Sequence, residues 1–584
     1  MGCGSSVKAQ PSDGKDTTPA APGAAPASAP ASKPAAAPKA ASAPATVKKA
    51  ASAPVLGVVQ LDTNEPTKKA FNPCHASMGY DIIYKEVEKL TFEMAGKGEM
   101  TEEAGKNFDE AIKYLEGKGC SAITGDCGLM MAFQNRARKV AKVPALMSSM
   151  VQCPAIACSL EPEEKILIVT KDAETLRMQK GELLKDCGFD VETARFSIVG
   201  ISDIDMSKPT KEVQPAIVKK VADTLKGDRS IRAILLESTQ LPPYADALRA
   251  ITKLPVWDCV TMVDFITSSY MDNPRFGLND WQEKMEHTKT QDLSDPKPSK
   301  EQIMRVHENL SKKQHPMLGC IRLDFNFNGA KVGDVQNPAS FGYDVIYKAV
   351  PGLTFALAQE GKMEGQVLED FKNSVKFLEE KGASCITGDC GFFMAYQKQA
   401  RDVANVPVFM SSMVQCPMVS AMFAKDEKIL ILTANSESLL PQKEVLLSSC
   451  GFNVDDDHFV IEGCQDIPGF EAVLEGKVAD VPYIEKGMMV KMKKIMEKTP
   501  NIKAIVCECH GLPQWADAMR TSTGLPVFDI VTCADFFISS MRDNPRFGMN
   551  NWQHPWDQIE QEYQFGKHLT AAELGRVETQ PGQC

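Results

Sequence analysis

Ile123-Thr-Gly-Asp-Cys127-Gly128 returns further along the chain as Ile386-Thr-Gly-Asp-Cys390-Gly391. Each hexapeptide is followed by the same octapeptide, Met147-Ser-Ser-Met-Val-Gln-Cys-Pro154 and Met410-Ser-Ser-Met-Val-Gln-Cys-Pro417. One unit is therefore written twice in tandem. Around each hexapeptide an apolar run (Ser121 to Thr124, Cys385 to Thr387) leads through a Gly-bounded turn into residues of helical pattern, Leu129 to Val140 and Phe392 to Val403. This predicts a strand, a turn and a helix, with Cys127 or Cys390 at the carboxyl end of the strand, facing a helix N-terminus. Such a position favours thiolate, and in open parallel sheets it is where ligands sit.

The second copy supplies a partner thiol. Ala504-Ile-Val-Cys-Glu-Cys509 reads as another buried strand ending at the turn Gly511-Leu-Pro513, with a helical stretch from Trp515 to Met519 beyond it. Two thiols at the strand ends of two half-units suit proton chemistry at a carbon next to a carboxylate, one thiolate removing the Cα proton and the other able to return one. The first copy reads Ala233-Ile-Leu-Leu-Glu-Ser238-Thr, with Ser238 in place of Cys509. A hydroxyl is a far weaker acid than a thiol, so the first copy is expected to be degenerate and Cys127 is the weaker catalytic candidate. Ser411 and Ser412, like Ser148 and Ser149, end a further strand and are candidates for hydrogen-bonding a substrate carboxylate; as turn residues they would be ordinary. Arg275 and Arg546 are candidates for binding a carboxylate, although a structural Asp–Arg pair is the commoner explanation. Asp389 and Glu508 precede the two cysteines, and strand alternation turns them to the opposite face, where they would fix the turn. Cys507, Cys509 and His510 make a poor tetrahedral set, so no metal and no cofactor are expected.

These paired strand-end cysteines resemble the aspartate/glutamate racemase superfamily, in which two similar α/β lobes enclose the active site. Narrower stretches, Ser340-Phe-Gly-Tyr-Asp-Val-Ile-Tyr347, Pro351-Gly-Leu-Thr-Phe355, Thr387-Gly-Asp-Cys-Gly-Phe-Phe-Met394, Val408-Phe-Met-Ser-Ser412, Gly463-Cys-Gln-Asp-Ile-Pro-Gly-Phe470 and Asp543-Asn-Pro-Arg-Phe-Gly548, resemble the algal dimethylsulfoniopropionate lyases of the Alma type. The resemblance runs through nearly all of 317–553 and more loosely through 55–281. It implies an α/β fold of two tandem racemase-like modules, each of two pseudo-symmetric parallel-sheet lobes. It also implies a carbon–sulfur lyase acting through Cys390 and Cys509 on a small carboxylate, with aromatic faces such as Phe392, Phe393 or Tyr343 receiving the sulfonium. One departure is His510, where the family usually has threonine after the cysteine. Two other readings stay open: an aspartate/glutamate-type racemase, and a membrane-tethered inactive paralogue serving as scaffold or sensor.

Composition agrees with an enzyme of several lobes. The chain has 584 residues, 43% of them hydrophobic, enough for more than one core. Its net charge of −11, with both signs interspersed, argues against a nucleic-acid surface. Eighteen cysteines scattered through apolar segments, without the dense spacing of a small secreted scaffold, point to a reducing compartment.

The four expected regions are 1–54, 55–282, 283–316 and 317–584: a disordered acylated tether, the first module, a linker and the second module. Met1-Gly2-Cys3-Gly-Ser-Ser6 fits N-myristoylation at Gly2 with palmitoylation at Cys3, and the Ala/Pro/Ser/Lys stretch behind it cannot form a packed core. Two acyl chains would hold the protein at the cytoplasmic face of a membrane. The linker contains Ser299-Lys-Glu-Gln302, a capping box for a short helix. In the second module strands are predicted near Leu318–Leu323, Ser384–Thr387, Val408–Met410, Lys428–Thr433, His458–Glu462, Ala504–Cys509 and Val527–Val531, with helices at Gly365–Lys381, Ser438–Cys450 and Glu485–Lys498. Continuous apolar runs such as Ile429-Leu-Ile-Leu432 suit strands covered on both faces, hence parallel sheets. A homo-oligomer is compatible with this arrangement.

Overall fold

The computed structural model describes residues 54–62, 82–179, 195–271, 291–292, 316–324 and 333–542, apart from 209, 476 and 478. The acylation motif at Gly2 and Cys3, the tether, Ser299–Gln302, Arg275, Arg546 and the tail after Trp556 lie outside the described residues. Residues 51–584 form one compact unit. No helix among the described residues is long and apolar enough to cross a membrane.

Among the described residues seventeen strands build four sheets, and every strand pair is parallel. In the first copy, β1 (Leu56–Leu61), β2 (Ile82–Val87), β3 (Ala122–Gly125) and β4 (Ala145–Leu146) are ordered β2-β1-β3-β4. Its second lobe contains β5 (Lys165–Thr170), β6 (Phe196–Gly200), β7 (Ile231–Leu236) and β8 (Val256–Trp257), ordered β6-β5-β7-β8. The second copy repeats both sheets. After β9 (Gln291–Asp292) come β10 (Leu318–Arg322), β11 (Val345–Ala349), β12 (Cys385–Gly388) and β13 (Val408–Phe409), giving β13-β12-β10-β11-β9. Then β14 (Lys428–Thr433), β15 (Phe459–Gly463), β16 (Ile502–Cys507) and β17 (Val527–Phe528) give β15-β14-β16-β17. In each lobe the chain reverses its direction of winding between the first and third strands, the topological switch point where open sheets bind ligands. Burial explains the parallel pairing: Ile429 through Leu432 are all fully buried, which needs helices on both faces.

The predicted strands are present, Lys428–Thr433 with the expected ends and the others with ends shifted by at most three residues. Two helical expectations change in kind. After Cys390 the chain first takes a 3-10 helix, Gly391–Tyr396, and only then a short α-helix, Gln397–Arg401. The helix expected over Ser438–Cys450 breaks into Ser436–Leu439, a 3-10 turn Leu440–Gln442 and Lys443–Cys450, because Pro441 has no N–H to continue the ladder.

The two copies face each other across an approximate two-fold axis, and polar contacts come in reciprocal pairs. Gln134 donates to the Ala421 carbonyl and Gln397 to that of Cys158, both at 2.9 Å. The Ala145 and Val408 amides donate to Met422 and Ser159. Arg249 Nε reaches the Ser540 carbonyl at 2.8 Å and Arg520 Nε that of Ser269 at 2.7 Å. Between them Phe265 stacks on Phe528 at 5.1 Å and Trp257 leans on Phe536. The helices at this seam, Cys259–Tyr270 and Ile530–Ser539, both open with an Asp–Thr capping box, Asp258 with Thr261 and Asp529 with Thr532. This is the self-complementary interface of a symmetric dimer, made within one chain.

Candidate active site

In the second copy the ends of β12 and β16 point at each other across the cleft between the lobes. Cys390 is the residue before the 3-10 helix Gly391–Tyr396, and its neighbour Gly391 lies directly against the turn after β16. A Cβ on Gly391 would sit 2.1 Å from the Glu508 carbonyl oxygen and 2.3 Å from Glu508 Oε1, so only glycine lets the lobes approach this closely. Gly128 meets Glu237 in the same way in the first copy.

The cleft holds a cavity of about 360 Å³ lined by Cys390, Cys509, Glu508, Asp389, Asp334 and Phe392 among others. Both thiols therefore share one chamber. Cys390 is 6% exposed and Cys509 half-buried. Burial, then the charges of Glu508 and Asp389, hold the Cys390 thiol well above its ordinary range, against a single backbone N–H from Phe392. Burial and Glu508 push Cys509 up to about 12, while the N–H groups of Gly511 and Leu512 pull it down. The backbone N–H groups act in the direction expected to favour thiolate, but desolvation outweighs them and favours the thiol form of both cysteines.

Glu508 belongs to the cavity, contrary to the expectation that it points away. β16 ends at Cys507, so the alternation of a strand stops before Glu508. Its Oε2 accepts a hydrogen bond from Thr433 Oγ1 at 2.7 Å, while Oε1 is buried without a partner. Burial, opposed only by Thr433, raises its carboxyl to about 7. Asp389 does fix its turn, accepting from the Leu323 amide at 3.2 Å and from Gln336 Nε2 at 2.9 Å. Burial raises it to about 7 against the pull of Arg322. Asp334, which carried no signal of its own in the sequence, enters on the loop before β11, held by its Ser340 and Gln336 contacts.

Ser411 and Ser412 are corrected to structural roles. Both are fully buried. Ser411 Oγ caps the next 3-10 turn at the Met413 amide, and Ser412 Oγ donates to the Cys507 carbonyl at 2.6 Å, tying the two lobes together. His510 likewise has no ring nitrogen to spare for a metal. Its Nδ1–H donates to the Gly388 carbonyl at 2.8 Å and its Nε2 accepts from the Ser412 amide at 3.3 Å, and burial lowers its pKa to about 4. It is a neutral strut from the β12 end to the Cys509 turn. In the first copy Thr239 does related work, donating to the Asp126 carbonyl at 2.6 Å. Among the described residues no group of three or more His, Cys, Asp and Glu suits a metal ion. Of the aromatic candidates Phe392 lines the cavity, set edge to face with Phe355 at 6.5 Å, whereas Phe393 is buried against Gly388 and Tyr396 and Tyr343 packs on Phe341.

Cys127 occupies the Cys390 position in the first copy, beside Glu237, whose Oε1 is again unpartnered and whose carboxyl burial raises to about 7. The position of Cys509 is taken in the first copy by Ser238.

Lobes of this order with a thiol from each side define the aspartate/glutamate racemase class, and residues 99–263 match the Asp/Glu/Hydantoin racemase family. Dimethylsulfoniopropionate lyase 5 of Emiliania huxleyi (strain CCMP1516) is 35% identical over 500 residues, covering 81% of this chain and 96% of that protein. Dimethylsulfoniopropionate lyase 3 of the same strain is 46% identical over 267 residues (45% of this chain, 70% of the relative), and a dimethylsulfoniopropionate lyase of Durusdinium sp. clade D is 44% identical over 257 (44% and 85%). The chain belongs to the dimethylsulfoniopropionate lyase family.

Proposed function

We propose that the second copy cleaves dimethylsulfoniopropionate to dimethyl sulfide and acrylate. The observation that carries the reading is one acid-lined cavity shared by Cys390 and Cys509 in a member of this family. Cys509 is assigned as the base, since two backbone N–H groups converge on its sulfur and one on that of Cys390. Its thiolate takes the proton from the carbon next to the carboxylate. The electron pair of that C–H bond becomes the carbon–carbon double bond, and the bond from the β carbon to sulfur breaks with its pair going to sulfur. Neutral dimethyl sulfide leaves and acrylate remains. Cys390, facing the same carbon, orients the substrate and excludes water. Backbone N–H groups at the starts of the two 3-10 helices, Gly391–Tyr396 and Leu512–Trp515, hold the carboxylate and the enolate charge that grows in the transition state.

Because both thiols lie there, this work is assigned to residues 317–584, with 55–282 as a non-catalytic partner. In the full chain Cys390→Ala and Cys509→Ala are each expected to abolish headspace dimethyl sulfide, and Cys127→Ala to leave the rate within about twofold. Loss of activity in Cys127→Ala with the fold intact by circular dichroism overturns the assignment. A racemase is the second reading, favoured by the presence of two thiols. Entry of solvent deuterium at Cα of recovered aspartate or glutamate, without dimethyl sulfide from the sulfonium compound, would establish it instead.

A further inference from the structure

The cavity carries more acid than a base-catalysed elimination requires. Asp334, Asp389 and Glu508 all line it. Asp389 is committed on both oxygens, to Leu323 and Gln336, and Glu508 is fixed in place by Thr433 on one oxygen and by close packing on Gly391 with the other. Asp334 differs. Its Oδ1 accepts from the Gln336 amide at 2.9 Å, while Oδ2 lies 3.9 Å from where a Cβ of Gly511 would stand, on the Cys509 turn. The loop that delivers it is built for the position. Gly333 adopts a left-handed φ of 103° and packs 2.7 Å, measured from an ideal Cβ, from the Cα of Gln514, so no other residue fits. Ser340 Oγ accepts from the Gly333 amide and donates to the Asp334 carbonyl.

Two cations lie nearby, and each also serves another carboxylate. Arg322 acts on both Asp389 and Asp334, and Lys477 is paired with Glu475. The first copy's sequence differs here. In the register of the flanking pairs, Leu61-Asp62 with Leu323-Asp324 and Ala76-Ser77 with Ala339-Ser340, it reads Asn72 or Phe71 for Asp334, together with Ser238 for Cys509. The acid and the thiol have been exchanged together, which points to one shared task.

We propose that Asp334 recognises the positively charged end of the substrate and, by doing so, couples substrate binding to activation of Cys509. The inference rests on the lyase reading above. Glu508 and Asp334 both oppose ionisation of Cys509. An onium group seated between them offsets that charge, so the thiolate forms when the correct zwitterion is present. A substrate with a second carboxylate, such as aspartate or glutamate, would meet like charge in the same place.

Calorimetric binding of two non-reacting ligands to the full chain tests this: the trimethylammonium analogue of the substrate, and its neutral tert-butyl isostere of equal shape. The wild-type protein is expected to bind the cationic ligand at least about tenfold more tightly, a modest effect for a half-buried charge pair, and Asp334→Asn to erase the difference while still binding the isostere. Equal binding of the two ligands by wild type overturns the proposal without any variant. A preference that survives in Asp334→Asn overturns the assignment to Asp334. Headspace dimethyl sulfide measured on the same preparations separates the two readings. Release without charge preference defeats this inference alone, and charge preference without release defeats the lyase reading alone.

Discussion

Cys390 and Cys509 carry the same group in unequal surroundings, and the inequality makes a pH prediction. Burial and the neighbouring carboxylates hold both thiols up, so the base form is scarce near neutrality and kcat/KM should climb as pH rises into the alkaline range. Glu508 is one cause of that rise. In Glu508→Gln the negative neighbour is gone, the thiol ionises at lower pH, and the climb should move down by on the order of one pH unit, with Gln keeping the hydrogen bond to Thr433. A profile that stays in place, measured on dimethyl sulfide release, would remove Glu508 from the electrostatics of the base. The two thiols were legible in the sequence because an identical hexapeptide and a strand-end cysteine announce them. Glu508 was misread because the alternation argument assumed a strand running to Cys509, and the ladder stops at Cys507. Ser411 and Ser412 were misread for a related reason: a hydroxyl at a strand end can cap a turn or meet a ligand, and only the position of β16 decides which.

At the level of elements, the active site depends on how closely two strand ends meet. Gly391 leaves no room for a methyl group between β12 and the turn after β16, whereas Gly524, in left-handed backbone at a helix end, has nothing within 4 Å of its absent Cβ. Gly391→Ala should separate the lobes and lower activity by at least about a hundredfold, the scale expected when catalytic groups shift by an ångström. Gly524→Ala should cost about 1 kcal/mol from its positive φ and leave the rate unchanged. Thermal unfolding and headspace assays on the pair separate local strain from misalignment. Core strands such as β14 and β16 were readable because their apolar runs are long and unbroken. Strands β2 and β11 were not, since Lys85 and Lys348 interrupt short stretches and pairing with a neighbour makes them strands.

On the scale of the molecule, the duplicated sequence predicted two modules, and the coordinates add how they meet. The seam takes Phe528 and Phe536 of the second copy against Phe265 and Trp257 of the first. Residues 317–584 expressed alone would expose that face. Because the contacts are reciprocal, the isolated half should pair with itself, running as a dimer in light scattering with an active site in each subunit. A stable, active monomer would show that the first copy contributes nothing to the second. Nothing in the sequence pattern marked this face, since its aromatic residues read simply as core.

The reciprocal arginines, Arg249 on Ser540 and Arg520 on Ser269, also bear on how the protein behaves when scarce. Two separate subunits joined by such a seam come apart on dilution. Two halves on one chain meet at an effective concentration in the millimolar range, whatever the number of molecules present. Specific activity should therefore stay constant down to nanomolar protein, where a dimer of detached halves would lose it.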